Sequence, residues 1–146
     1  MKNHPVFTSA AVATPTDFCF LPRSVTNSLE ELTDSGENLL LCVYSHQDNA
    51  LFFSKVKDAQ VRRLSVLLVS LIPDTISEIL REIGGYLSRT LYTSGLCIAE
   101  NKCAWEAYFH LSDLKGDLEE LEDEFRIKLS KLSGVEEVWI ESIDGL

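Results

Sequence analysis

Between Arg62 and Leu111 the apolar residues change their spacing twice, and few folds accept that order of changes. Leu64, Val66, Leu67, Leu68 and Val69 form a short run that is apolar on both faces, which predicts a central strand over Arg62–Leu71. Pro73 ends it. Thr75 then stands three residues before Glu78, the capping-box spacing that satisfies two orphan amides, so a helix is expected over Thr75–Ser88. Ile76, Ile79, Leu80, Ile83 and Leu87 recur at helical steps on one face, against Ser77, Glu78, Arg81 and Glu82 on the other. The Gly84–Gly85 pair costs about 1 kcal/mol per glycine in a helix interior and implies fraying, a kink or a close backbone approach. A strand pair follows, Leu91–Ala99 and Cys103–Leu111. In the second strand Trp105, Ala107, Phe109 and Leu111 alternate with Ala104, Glu106, Tyr108 and His110, the mark of a half-exposed antiparallel strand.

The rest of the chain is arranged around that stretch. A second helix is expected from Asp113 to Leu132, with Leu114, Leu118, Leu121, Phe125, Leu129 and Leu132 as its stripe. Its opposite face carries Asp117, Glu119, Glu120, Glu122, Asp123 and Glu124. Calcium loops need a glycine-turned irregular loop and general acids need a sheltered cleft, so these carboxylates read as a solvated helix face. Arg126, Lys128 and Lys131 near its end complement the macrodipole, and Gly134 closes it as a left-handed cap. Val135–Ile143 supplies a last strand, with Val138 and Ile140 on one face and Trp139 on the other. Upstream, Met1–Thr16 is rich in small residues and reads as a loose arm, and Phe18–Leu21 as a short strand ending at Pro22. Ser28 and Glu31 repeat the capping spacing before a short helix that Gly36 stops. Leu39–Ser45 and Leu51–Lys57 flank a polar turn and predict a hairpin. His46 and Asp48 in that turn read as solvated turn formers.

A chain of 146 residues with 45% hydrophobic content can build a core without staples. Its 23 acidic against 13 basic residues give a formal net charge of −10, which repels phosphate backbones and anionic headgroups and disfavours nucleic-acid and membrane partners. Arg62–Arg63 with Lys55 and Lys57 is the local basic cluster, suited to a small anion or to a solvated strand edge. No apolar run approaches the roughly 20 residues that span a bilayer, and no secretory pattern opens the sequence, so a cytoplasmic location is expected. Cys19, Cys42, Cys97 and Cys103 lack metal-site spacing and are expected as buried reduced thiols. A Cys97–Cys103 bridge requires the hairpin register to set the two opposite each other.

From Arg62 the order of elements is β-α-β-β-α-β, for which the known arrangement is an α+β ferredoxin-like sandwich, an antiparallel sheet with both helices on one face. Residues 1–60 would then be an N-terminal extension of arm, short helix and hairpin, and residues 61–146 the domain. The hairpin either covers the open face of the sheet or extends its edge. The segment from Leu64 to Ile83, continuing to Tyr92–Ile98, resembles an ACT domain over about residues 62–143. That resemblance implies an amino-acid-like ligand bound by the loop between the first strand and first helix. Here that loop is Ser70–Thr75, with Pro73 matching the family pattern and Asp74 standing in the glycine's place. The implied ligand-binding residues are Ser70, Pro73, Asp74 and Thr75, facing Thr93, Ser94 and Gly95. It also implies a homodimer, and the helix-free sheet face, bearing Trp, Tyr and Leu positions, calls independently for a cover.

The resulting expectation is a non-enzymatic regulatory module that senses a small ligand, with no cofactor, no metal and no catalytic residue assigned. Two alternatives stand beside it. One is an interaction scaffold using the acidic second helix. The other is a small enzyme using His110 with Asp113 or Glu106, or Cys97 as nucleophile; but His110 and Glu106, four apart on a strand, stand about 13 Å apart, too far for a hydrogen bond.

Overall fold

The computed structural model describes residues 8–32 and 39–145. The chain divides into two units, Met1–Ala59 with Ile143–Leu146, and Gln60–Ser142.

In the first unit β1 (Thr8–Ala13) pairs antiparallel with β2 (Leu39–Ser45), which pairs antiparallel with β3 (Ala50–Val56). The expected hairpin is present, but the supposed arm over 8–13 is a strand. Small Ser and Ala side chains carry little β signal of their own, and the partner β2 decides the outcome. Phe18 lies in a 3-10 turn, Pro15–Phe18, rather than a strand: the Thr14 amide donates to Asp17 Oδ2 at 2.8 Å and fixes the turn. The helix α1 (Arg23–Leu32) starts ahead of Ser28, whose Oγ instead donates back to the Ser24 carbonyl at 3.0 Å. Leu29 is its one buried residue and joins Ala13, Phe18, Leu40 and Cys42 in a small core. Val6, Phe7 and Gly36 lie outside the described residues.

In the second unit the elements are β4 (Val61–Leu68), α2 (Pro73–Tyr86), β5 (Tyr92–Ala99), β6 (Lys102–His110), α3 (Leu118–Ser130) and β7 (Val135–Ser142). The sheet order is β5-β6-β4-β7, and every neighbouring pair is antiparallel. β4 is therefore central, as its apolar run requires. The hairpin of β2 and β3 does not extend this sheet; it belongs to the three-stranded one.

Leu64, Val66 and Leu68 of β4 and Cys103, Trp105, Ala107 and Phe109 of β6 point to one face, where Ile79 and Ile83 of α2 and Phe125 and Leu129 of α3 close over them. Tyr86 and Phe125 meet between the helices at 4.3 Å. β6 is buried from Cys103 to His110, not half-exposed. Its polar residues Glu106 and His110 are 2% and 0% exposed, so alternation there marks two environments, both dry.

Helix boundaries differ from expectation in instructive ways. Pro73 occupies the first turn of α2 and Ile72 is its cap, with no side-chain hydrogen bond. Thr75 sits one turn too late to cap; it is buried, and its Oγ1 donates to the Ser133 carbonyl at 3.2 Å. α3 begins at Leu118, capped by Asp117, whose carboxylate accepts from the Glu119 amide at 3.0 Å. α3 ends at Ser130 with Lys131 as its cap, so Gly134, left-handed at φ 86°, does not close the helix but sits in the turn before β7.

Candidate functional site

The β4–α2 loop is held at both ends. The Val69 amide donates to the Gly134 carbonyl at 3.0 Å, and the Ile72 amide to the Ser70 carbonyl at 3.1 Å. Between these ties Leu71 turns onto the edge strand: a Cβ on Gly95 would lie 3.6 Å from Leu71 Cδ1 and 3.7 Å from Trp105 Cδ1. Leu71 of this loop therefore lies beside Gly95 of β5. Val69, Leu71 and Ile72 remain 38%, 37% and 46% exposed, an apolar lip beside the start of α2. The first helical bond is from the Ile76 amide to the Ile72 carbonyl at 3.0 Å. The amides of Asp74 and Thr75 precede it, and isoleucine has no oxygen with which to cap them.

The seven expected site residues do not converge on one point. Ser70 is half-buried, Pro73 and Asp74 are exposed, and Thr75 is turned inward to Ser133. On β5, Thr93 and Gly95 stand opposite Ala107 and Trp105, on the helix side of the sheet, whereas Ser94 stands opposite Glu106 on the other side. Strand alternation separates Ser94 from its neighbours.

That other side carries an arrangement that sequence reading missed. One cross-strand row runs Glu141, Arg63, Tyr108, Tyr92 over β7, β4, β6 and β5. Arg63 Nε donates to Glu141 Oε1 at 2.7 Å, Nη2 reaches the same oxygen, and Nη1 donates to Tyr108 Oη at 3.3 Å. The guanidinium carbon lies 5.9 Å from the Tyr108 ring centroid, and the two tyrosine rings stand 6.0 Å apart. Burial works against the Arg63 charge, but Tyr108 and Glu141 outweigh it and hold its pKa above the ordinary arginine value. Arg63 is therefore not the solvated edge residue its neighbours in sequence implied. The next row brings Trp139, Ser65, Glu106 and Ser94 into register. The expected Trp139, Tyr108, Tyr92 and Leu67 are on this face, interleaved with charge.

His110 is placed opposite Val61 and shares its face with Glu106. Asp113 is engaged elsewhere, its carbonyl accepting from the Ser88 amide at 2.9 Å and its carboxylate lying 3.8 Å from Arg89 Nε. Cys97 is neither buried nor a thiol; it is exposed and bonded to Cys103. Cys19 and Cys42 are free, and burial pushes the Cys42 thiol up to about 11. Cys42 floors a shallow cavity of about 260 Å³ with Ser9, Ala11, Phe18, Tyr44 and Leu51. At the neighbouring turn Ser9 Oγ lies 2.7 Å from His46 Nε2, and Ser45 Oγ donates to Asp48 Oδ2 at 3.0 Å, so His46 and Asp48 serve different partners. Among the described residues no group of three His, Cys, Asp or Glu side chains converges as a metal site, and no helix is long and apolar enough to cross a membrane.

No family model matches the chain, and comparison with curated proteins finds no match.

Proposed function

We propose that the Gln60–Ser142 unit is a ferredoxin-like, ACT-like module that binds a small amino-acid-like ligand at the β4–α2 loop and acts as a homodimer without catalysing a reaction. The strand order supports the ferredoxin-like reading, since the first and third strands of the unit are central and the second and fourth are its edges. The observation that carries the ligand reading is the meeting of Leu71 with Gly95 beside an α2 start whose cap residue offers no side-chain acceptor. A ligand carboxylate would take the Asp74 and Thr75 amides, and its apolar part would rest on Leu71 and Ile72. The exposed Asp74 side chain selects against plain anions, so the ligand must bring a cationic group as well, as a zwitterionic amino acid does. The sheet edges β5 and β7 offer backbone groups through which two copies could align side by side.

A thermal-stability panel of free amino acids tests the ligand reading. At a hundredfold excess over Kd one ligand should add about 2.7 kcal/mol, a rise of several degrees in Tm. A panel in which no compound gives a saturable rise contradicts it. Light scattering on the eluting protein tests the assembly: twice the chain mass is expected, and a monomer at every concentration removes the homodimer from the proposal.

A further inference from the structure

We infer that Cys97–Cys103 is a thiol–disulfide exchange site for an external dithiol, with Cys97 the sulfur that is attacked. The two cysteines are exact register partners across β5 and β6, six residues apart around the turn at Asn101. Their surroundings differ sharply. Cys97 is exposed on β5, beyond which the described sheet has no further strand, whereas Cys103 is 3% exposed and belongs to the core with Leu68 and Trp105. Of the two residues, the exposed one is the more open to an incoming thiolate. The β5–β6 ladder is also irregular between Cys97 and Ala99, so backbone pairing beside the bond gives it little shelter.

A thiolate of the dithiol attacks Cys97 Sγ, the Cys97–Cys103 bond breaks, and Cys103 leaves as a thiolate that takes a proton from water. The second thiol of the reagent, deprotonated, attacks its own sulfur in the mixed disulfide and releases Cys97 as a thiolate. The protein gains two thiols and the dithiol becomes a disulfide. This inference stands apart from the ligand reading.

The test uses the full chain with Cys19→Ser, which removes the exposed free thiol. Under native conditions at neutral pH, excess dithiothreitol should open the bond with the far-ultraviolet dichroism unchanged, read as two new alkylation sites by peptide mass mapping. In that background Cys103→Ser, which leaves Cys97, should form a mixed disulfide with oxidised glutathione about tenfold or more faster than Cys97→Ser, which leaves Cys103. In denaturant the two rates should converge. The inference is overturned by a bond that opens only on unfolding, by equal native rates, or by air-oxidised protein in which both cysteines remain thiols.

Discussion

Arg63 is fixed by residues far from it in sequence: Glu141 lies 78 positions away and Tyr108 45. No local pattern announces such a row, and Arg62–Arg63 in isolation reads as surface charge. The Arg63 side chain is 13% exposed against 41% for Glu141, so removing either partner has unequal effects. Glu141→Ala should cost about 1 kcal/mol or less, the range of a half-exposed pair, whereas Arg63→Ala should cost about 2 kcal/mol because packing on Tyr108 is lost too. Urea denaturation measures both, and the reverse order would contradict the account. Cys42 gives a pH signature. Burial pushes its folded pKa up to about 11, above the ordinary thiol value, so the folded state holds the proton longer. The associated stability is fully present below about pH 9 and is lost as pH rises toward 11, by an amount of order 2 kcal/mol, and Cys42→Ala should flatten that loss. A denaturation series across this window decides it.

Among the elements, those with strong periodicity were legible: β4, α2, β7 and the β2–β3 hairpin lie within about three residues of where spacing predicts, while α3, expected from Asp113, starts only at Leu118, after a 3-10 turn over Leu111–Asp113. What was not legible is where neighbours overrule local signal. β1 owes its extended form to β2, and α2 starts at Pro73 because proline is preorganised for a first turn, which leaves Thr75 to bond Ser133. In the β4–α2 loop the inward turn of Thr75 depends on the Ser133 carbonyl and the opposite facing of Ser94 on strand register, and no local pattern announces either. Asp117, the cap of α3, and Gly134, in the turn just before β7, carry measurable weight. Asp117→Ala removes the carboxylate that accepts from the Glu119 amide, and Gly134→Ala forces a side chain into φ 86°, so each should cost about 1 kcal/mol in thermal denaturation. The disulfide secures the end of β5. Its reduction should cost about 2 kcal/mol for so short a loop and speed amide exchange in Tyr92–Ala99 while leaving α3 unchanged. Equal exchange in both redox states would show that the backbone ladder alone holds the edge.

For the molecule as a whole, the net charge of −10 and the polar rows on the second sheet place the apolar lip Val69–Ile72 among the few exposed apolar surfaces of its unit's described residues. Leu80 and Ile127 are further exposed positions, each isolated on a helix. The ligand site proposed for this unit rests on that lip beside the start of α2, whose cap residue makes no side-chain hydrogen bond. Amide-resolved NMR titration with individual amino acids tests it most directly. One of them should shift the Asp74, Thr75 and Gly95 amides together, saturably and with one common Kd. No shift at these amides across the panel, or shifts confined to the cavity around Ser9 and Cys42, would contradict it.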